Sequence, residues 1–224
     1  MKTNCGAILP MSFVIERSHT LFKHIIRLGP QVDAEAIAEL AKKRDYTITN
    51  RQINTPTGPL KEYLFRSKTN PQSLIIFSQR GFVIDAQPNE EVLPLFREAY
   101  DFYEKVLGDL ALTTTVQLEV TGKFDLFSPV PVNELIGKLY RNDLNKLEFN
   151  SLPMQPFGVS FAASFGQNLE EIMSVSMQPM PKDPKNRMTV IALYRSKELD
   201  EALQLVEKLP TEISKIIKDI AKIK

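Results

Sequence analysis

Two stretches of sequence decide the fold: TLFKHIIRL, residues Thr20–Leu28, and VQLEVTGKF, residues Val116–Phe124. In both stretches one set of alternate positions is apolar, which is typical of a β-strand with one buried face. His24 is the one polar residue on the apolar side of the first stretch. A short helical pattern, further strand patterns and a long helical pattern follow each stretch. The order of elements therefore predicts two approximate repeats, residues 1–110 and 111–224, which reflect either a duplication or a coincidence of common element orders.

A long amphipathic helix ends each predicted repeat. The apolar residues recur every three or four positions from about Glu90 to Leu107, and again from about Glu198 to Ile223. Pro94 is expected either in the first turn of the first helix or at a kink. Pro210 is expected to bend or split the second helix. Between each opening strand and its long helix, turn residues separate strand patterns that predict antiparallel hairpins.

These elements predict an α+β fold with a mostly antiparallel, curved sheet and helices packed on one side of it. The layout is similar to that of TATA-binding-protein-like and helix-grip folds, and such a likeness of architecture implies no function. The two repeats are expected to pack together as one globular unit. The segment Gly108–Thr113 is the best candidate for the boundary between them.

Composition and charge point to an ordinary globular protein. Hydrophobic residues make up 43% of the chain, charged residues 25%, and the net charge is +1. Such a balance provides no basic arm for nucleic acid. The single cysteine, Cys5, excludes an intramolecular disulfide and suits a reducing compartment. The apolar run Cys5–Ile15 is too short to cross a bilayer and lacks the features of a signal peptide, so we expect a cytoplasmic protein without membrane contact.

The sequence contains no recognisable catalytic machinery. The phosphate-binding motifs G-x-G-x-x-G and G-x-x-x-x-G-K-S/T are missing, as is the nucleophile motif G-x-S-x-G. The two histidines, His19 and His24, lie five positions apart on the predicted first strand and would point to opposite faces. We therefore predict no metal site and no cofactor, and the sequence favours a protein that is not an enzyme.

The predicted strand Phe157–Phe165 has one bulky face and one face of small residues. Its bulky residues, Phe157, Val159 and Phe161 among them, are expected in the core. Glycine and alanine weaken a merely exposed strand, so the small residues suggest a face that another group covers. Alternatives are a plain solvent-facing sheet or a helix of the same chain above it. This predicted small-residue face consists of Gly158, Ser160, Ser164, Ser174 and Ser176, extended by Gln117 and Glu119.

Methionines are concentrated in the second half of the chain. Five of the seven lie in one region, at positions Met154, Met173, Met177, Met180 and Met188. Flexible thioether side chains suit adaptable apolar surfaces, so a cavity lined by Met and Phe residues is predicted, with simple core filling as the alternative. Met180 lies in the proline-rich loop Gln178–Arg187, where an exposed methionine would indicate a contact site.

The leading functional prediction is a non-enzymatic binding protein, a homodimer, that contacts a protein partner or its second copy through the curved sheet. The first alternative is a carrier of a small hydrophobic ligand in the Met- and Phe-lined cavity. The second alternative is a nucleic-acid-binding module. This last alternative is disfavoured, because the small-residue face has neither basic residues nor exposed aromatic side chains.

Overall fold

A computed structural model describes residues 12–26, 34–42, 46–56, 58–78, 80–107, 115–140, 148–149, 152–153, 156–164 and 172–223. The strands are β1 (Val14–Ile26), β2 (Tyr46–Thr55), β3 (Gly58–Ser67), β4 (Leu74–Ser78), β5 (Gly81–Ala86), β6 (Thr115–Phe127), β7 (Glu148–Phe149), β8 (Leu152–Pro153), β9 (Val159–Ser164), β10 (Ile172–Pro179) and β11 (Arg187–Ser196). The helices are α1 (Ala34–Ala41), α2 (Val92–Leu107), α3 (Val132–Gly137) and α4 (Leu199–Lys222), and a 3-10 turn, Asn89–Glu91, precedes α2.

Within the described residues, nine strands form one curved antiparallel sheet in the order β2-β3-β4-β5-β1-β6-β11-β10-β9. The short strands β7 and β8 pair separately. The two opening strands, β1 and β6, are antiparallel neighbours at the centre of the sheet. The predicted α+β class and the curved antiparallel sheet are thus confirmed. The boundary proposed between the two halves lies outside the described residues.

The register between β1 and β6 gives the sheet two different faces. Phe22 lies opposite Val120 and His24 lies opposite Leu118, and all four side chains are buried. On this side, called the helix face, apolar residues of α2 and α4 complete the core. Lys23 lies on the other side, called the open face, where the residues of β1 between Thr20 and Ile26 are only half-buried. The alternation of the sequence therefore becomes an alternation of burial.

Aromatic side chains fill the core between the first half of the sheet and α2. The ring centroids of Phe22 and Phe96 are 5.2 Å apart in an edge-to-face arrangement, and those of Phe65 and Phe77 are 4.9 Å apart. Phe102 also contacts Phe77, at 6.3 Å. Burying each large apolar side chain stabilises the fold by roughly 1.5–3 kcal/mol, and aromatic pairing adds to this.

Helix α4 covers the second half of the sheet with the stripe that its sequence predicts. The buried residues of this stripe are Ala202, Val206, Leu209, Ile213, Ile217 and Ile220. The helix continues through Pro210 as a single element, so the predicted split does not occur. Pro94 lies in the first turn of α2, where a proline removes no intrahelical hydrogen bond.

One buried asparagine connects the two halves by hydrogen bonds. The Asn89 side-chain oxygen accepts a hydrogen bond from the Thr20 hydroxyl at 2.6 Å, and its amide nitrogen donates to the Val206 carbonyl of α4 at 3.1 Å. The Asn89 backbone N–H donates to the Ser18 hydroxyl at 3.0 Å. Because a buried polar group without partners destabilises a fold, this network fixes how α4 sits relative to β1.

The hairpin between β4 and β5 requires a glycine. Gly81 has φ +118°, and a Cβ atom there would lie 1.9 Å from the His24 carbonyl oxygen. Only glycine combines this backbone conformation with such a close approach. The turn therefore brings β5 directly against β1.

The structure corrects the expectation for the strand around Phe161. The prediction that Phe157 and Phe161 belong to the core is wrong, because their side chains are 60% and 43% exposed. The physical reason is the position of β9 at the edge of the described sheet, where one of its two sides has no neighbouring strand. Phe165, the last residue of the predicted strand, lies outside the described residues.

The buried His24 generates a prediction about stability and pH. Its ring packs against Phe82 and Tyr103, with centroids 5.0 and 5.4 Å away, and burial lowers its pKa from 6.5 to about 4. Between these two values the unfolded chain binds a proton that the folded chain excludes. The free energy of unfolding should therefore fall as the pH drops from 6.5 to 4, by up to about 3 kcal/mol from this residue.

The measurement is thermal or urea unfolding of the wild type and the His24→Leu variant across this pH range. Titrating carboxylates change the free energy of unfolding equally in both proteins. The difference between the two pH profiles therefore gives the contribution of His24. Parallel profiles would contradict the prediction, whatever the absolute stability of the variant.

Candidate functional site

An apolar cavity lies on the helix face at the β9 end of the sheet. Its volume is about 580 Å³, which is within the usual range for small-molecule sites. Strands β9 and β10 form its floor, and the last two turns of α4 and the residue Leu139 form its walls. The lining residues are Leu139, Phe161, Ala162, Ala163, Met173, Val175, Ile216, Asp219, Ile220 and Ile223.

The cavity lies where the side chains of the strands leave space beneath the end of α4. Val175 and Ile220 are buried at its base, whereas Phe161 and Ile223 are 43% and 41% exposed. Ala163 provides little side-chain volume on the strand side. The apolar stripe of α4 therefore continues past the point where strand side chains fill the space beneath it.

Asp219 is the one charged residue among the described residues that line this cavity. The Asp219 carboxylate accepts a hydrogen bond from the Lys222 ammonium group at 2.9 Å, and both side chains are exposed. The carboxylate is therefore solvated and paired on the helix surface. The other described lining residues offer contact to apolar groups.

A hydrogen bond fixes the entrance to β9 next to the cavity. The Tyr140 hydroxyl donates to the Gly158 carbonyl oxygen. A Cβ atom on Gly158 would lie 2.9 Å from the Met177 carbonyl oxygen of β10. Close approach of two backbones thus accounts for this glycine, which the sequence had suggested as part of a binding face.

The predicted Met- and Phe-lined cavity corresponds in part to this site. Met173 and Phe161 line it. Met177 and Met188 are instead buried in the core. Met180 is half-buried, and its backbone N–H donates to the Arg187 carbonyl at 2.9 Å, which closes the turn between β10 and β11. Met154 lies outside the described residues.

The small-residue face is part of the open face of the sheet. Ser160 lies opposite Ser176, and Ser174 lies opposite both Ala162 and Leu193. Because directly paired residues project from the same side of a sheet, these side chains share the open face. Ser164 pairs with Ile172 through its backbone, and its side chain is outside the described part of the chain.

Glu119 lies at the centre of the open face between two cations. Its carboxylate accepts hydrogen bonds from the Lys23 ammonium group at 2.5 Å and from the Arg195 guanidinium group at 2.8 Å. Glu119 is only 8% exposed, and Gln117 follows it on the same face. Burial acts to raise the pKa of Glu119, but the hydrogen bonds and charges of the two cations outweigh burial and lower it.

Half-buried aliphatic side chains surround this ion-pair cluster. Leu21 and Leu193 lie on either side of Thr121, and Ile25 lies opposite Gln117. The sequence pattern did not predict that Lys23, Arg195 and these aliphatic residues lie together on one face. The alternation in each strand was visible, but the pairing of β6 with both β1 and β11 was not.

The described ranges contain neither a metal-binding cluster nor a membrane-spanning helix. No group of three or more His, Cys, Asp or Glu side chains there is arranged to hold a metal ion. None of the described helices is long and apolar enough to span a membrane.

Comparison with known proteins gives little guidance. No family model matches the chain, and no curated protein gives a significant match. A nonspecific heme-binding cyclase that catalyses a 4 + 2 cycloaddition in neoabyssomicin biosynthesis is 10% identical, with coverage of 90% of this chain and 80% of the cyclase and a TM-score of 0.15. The Diels–Alderase AbmU from Streptomyces koyangensis is 12% identical. The match covers 80% of this chain and 94% of AbmU, with a TM-score of 0.14. Similarities this low support no conclusion about fold or function.

The Glu119 cluster yields a prediction about stability. Replacing Glu119 by Gln keeps the shape of the side chain but leaves Lys23 and Arg195 close together without their counter-charge. Because both cations are partly exposed and screened by water, the free energy of unfolding should fall by about 1–2 kcal/mol rather than by the larger cost of a fully buried pair.

Urea unfolding at neutral pH measures this loss. The Glu62→Gln variant is a suitable control, since Glu62 forms an ion pair with Arg51 near the β2 edge of the sheet, away from the Glu119 cluster. Equal stability of the Glu119→Gln variant and the wild type would show that the cluster does not stabilise the fold.

Proposed function

We propose that this protein binds and carries a small, uncharged apolar molecule in the cavity between β9, β10 and α4. The single observation that supports the proposal is the cavity itself, about 580 Å³ in volume and lined by apolar side chains. Transfer of apolar surface from water into such a space is favourable by about 25 cal/mol per Å². A carrier of this kind needs no catalytic group, which is consistent with the lack of known catalytic motifs in the sequence. We propose the cytoplasm as its location.

The lining also suggests which molecules the site would prefer. Met173 and Phe161 offer polarisable and aromatic contacts, and the Asp219 carboxylate at the exposed side is paired with Lys222. A neutral, ring-containing or branched hydrocarbon skeleton would fit these contacts.

Narrowing the cavity should weaken binding. Ile216 is half-buried and points from α4 into the cavity, so an Ile216→Trp variant would occupy the space that a ligand needs. We expect its affinity for the neutral apolar dye Nile red to fall by about tenfold or more, equivalent to about 1.4 kcal/mol or more of binding free energy. Fluorescence titration provides the measurement.

The matched control is Lys215→Trp, which adds the same ring at the adjacent, exposed position of the same helix. Native mass spectrometry of wild-type protein purified from cells, before and after denaturation, shows whether a natural ligand is retained. Equal dye affinity in both variants would argue against the cavity as the binding site.

We propose the open face as a second binding site, for a protein partner. The observation that favours it is the combination of half-buried aliphatic residues, such as Leu21 and Leu193, with the Lys23–Glu119–Arg195 cluster on a face opposite to the helices. Aliphatic surface supplies affinity in protein interfaces, and charged groups supply orientation.

A large side chain on the open face should block binding of such a partner without affecting the cavity. The Ser176→Trp variant places an indole beside Ile191 on the open face, whereas Ile216→Trp alters only the helix face. If the second proposal is correct, proteins that co-purify with the tagged wild type are lost with Ser176→Trp and retained with Ile216→Trp. Unchanged co-purification with both variants would remove support for the open face.

We further infer that the two halves are related units, as the order of elements suggested. Strands β1 and β6 have 13 residues each, and the last strand of each half returns to pair with its opening strand, β5 with β1 and β11 with β6. A long helix then follows in both halves. This arrangement supports a duplication and the proposed TATA-binding-protein-like layout.

A further inference from the structure

Within the described residues, strand β9 has none of the charges, prolines or bulges that commonly protect edge strands. Its residues, Val159–Ser164, include no charged side chain and no proline, and its pairing with β10 contains no bulge. The opposite edge strand, β2, has Arg51 paired with Glu62. Natural proteins commonly use charges, prolines or bulges to prevent edge-to-edge association of strands. Their absence from β9 indicates a strand that can pair with a strand of another chain.

The backbone of β9 has the capacity for such pairing. Among the described strands β9 has one neighbour, β10, so alternate N–H and C=O groups along its outer side face away from the sheet. Phe161, 43% exposed, stands at this same edge. An added strand would both satisfy these groups and cover apolar surface.

We propose that two copies of this chain associate through antiparallel pairing of their β9 strands, about a two-fold axis that passes through Ala162. This arrangement joins the two sheets into one continuous sheet and keeps the helices of both subunits on the same side. A two-fold axis makes the contact closed and self-complementary, so it ends at a dimer.

The side chains suit this register. On the open face, Ala162 would lie opposite its own copy, and the backbone of Ser160 would pair with the backbone of Ser164 of the partner subunit. On the helix face, Phe161 would lie opposite Ala163 of the partner subunit, so that the largest side chain of the strand meets one of the smallest. Directly opposed residues have Cβ atoms about 4.5–5.5 Å apart, close enough for these contacts.

The second copy would also complete the cavity. Ala163 lines the cavity at its outer edge, so the partner's Phe161 would cover that edge with an aromatic ring. The strand pairing itself is independent of the ligand proposed above, and only this contribution to the cavity rests on that proposed function. Each cavity of the dimer would then be built from residues of both subunits.

The expected dimer is concentration-dependent. Six residues of strand bury much less than the approximately 800 Å² per subunit of a standard stable interface. Sedimentation of the full chain over a range of concentrations should therefore show a mass rising from 25.5 kDa toward twice that value. A mass that stays at 25.5 kDa at every concentration would overturn the proposal.

The Ala162→Lys variant tests the site of contact. It places two ammonium groups opposite each other at the two-fold axis, and we expect it to sediment as a monomer at concentrations where the wild type is dimeric. Ser176→Lys is the control, because it adds the same charge to the same face one strand further in. Circular dichroism confirms that both variants fold. A dimeric Ala162→Lys variant would overturn the proposal.

Disulfide trapping tests the register. In a Cys5→Ser background, the Ala162→Cys variant should form a covalent dimer under mild oxidation, because the paired Cα atoms would lie about 4.5–5.5 Å apart, within disulfide range. The Ser160→Cys variant should not, since its two copies are four residues apart along the strands. Cross-linking of Ser160→Cys but not of Ala162→Cys would overturn the proposed register.

Dye binding separates this proposal from the ligand proposal. If the partner's Phe161 completes the cavity, the wild type binds Nile red several-fold more weakly at concentrations where it is monomeric than at concentrations where it is dimeric, while Ile216→Trp loses binding and remains dimeric. Equal dye affinity of monomer and dimer would overturn the contribution of the partner subunit to the cavity and leave the ligand proposal intact.

Discussion

The antiparallel pairing of β1 with β6 is the constraint on which the rest of the structure depends. Both strands have 13 residues and they pair along nearly their whole length, with register shifts near Ile15 and Ile25. Their register sets which side chains share a face, so it places Phe22 with Val120 under the helices and Lys23 with Glu119 on the other side. All further strands add outward from this central pair. A shift of one residue would exchange the two faces and bury charge.

This central pair also determines where the sheet is incompletely covered. Helix α4 packs on β6 and β11, which lie near the centre, and its C-terminal turns extend over the outer strands β10 and β9. Close packing near the centre gives way to a cavity at the edge. At the same position Phe161 is exposed, and among the described strands β9 has a neighbour on one side alone. The ligand site and the dimer contact that we propose thus share one structural origin.

The buried polar side chains contact partners that only the tertiary structure brings close to them. Asn89 links β1 to α4 through hydrogen bonds with Thr20 and Val206. Glu119 is held between Lys23 and Arg195, which come from the two strands adjacent to β6. His24 is accommodated among aromatic rings in its neutral form, because burial lowers its pKa to about 4. Each of these groups specifies one arrangement of the elements and makes alternatives costly.

The sequence by itself determined the local elements and their class. Alternation in Thr20–Ile26 and the helical stripe of α4 depend on residues close together in the chain, so both were predictable from pattern alone. Only the tertiary structure decided that β9 lies at an edge, that Phe161 faces a cavity, and that Lys23 and Arg195 hold Glu119. A strand with a bulky face has the same pattern in the middle of a sheet and at its edge. Its burial depends on strand order and helix coverage, which arise from contacts between residues far apart in the chain.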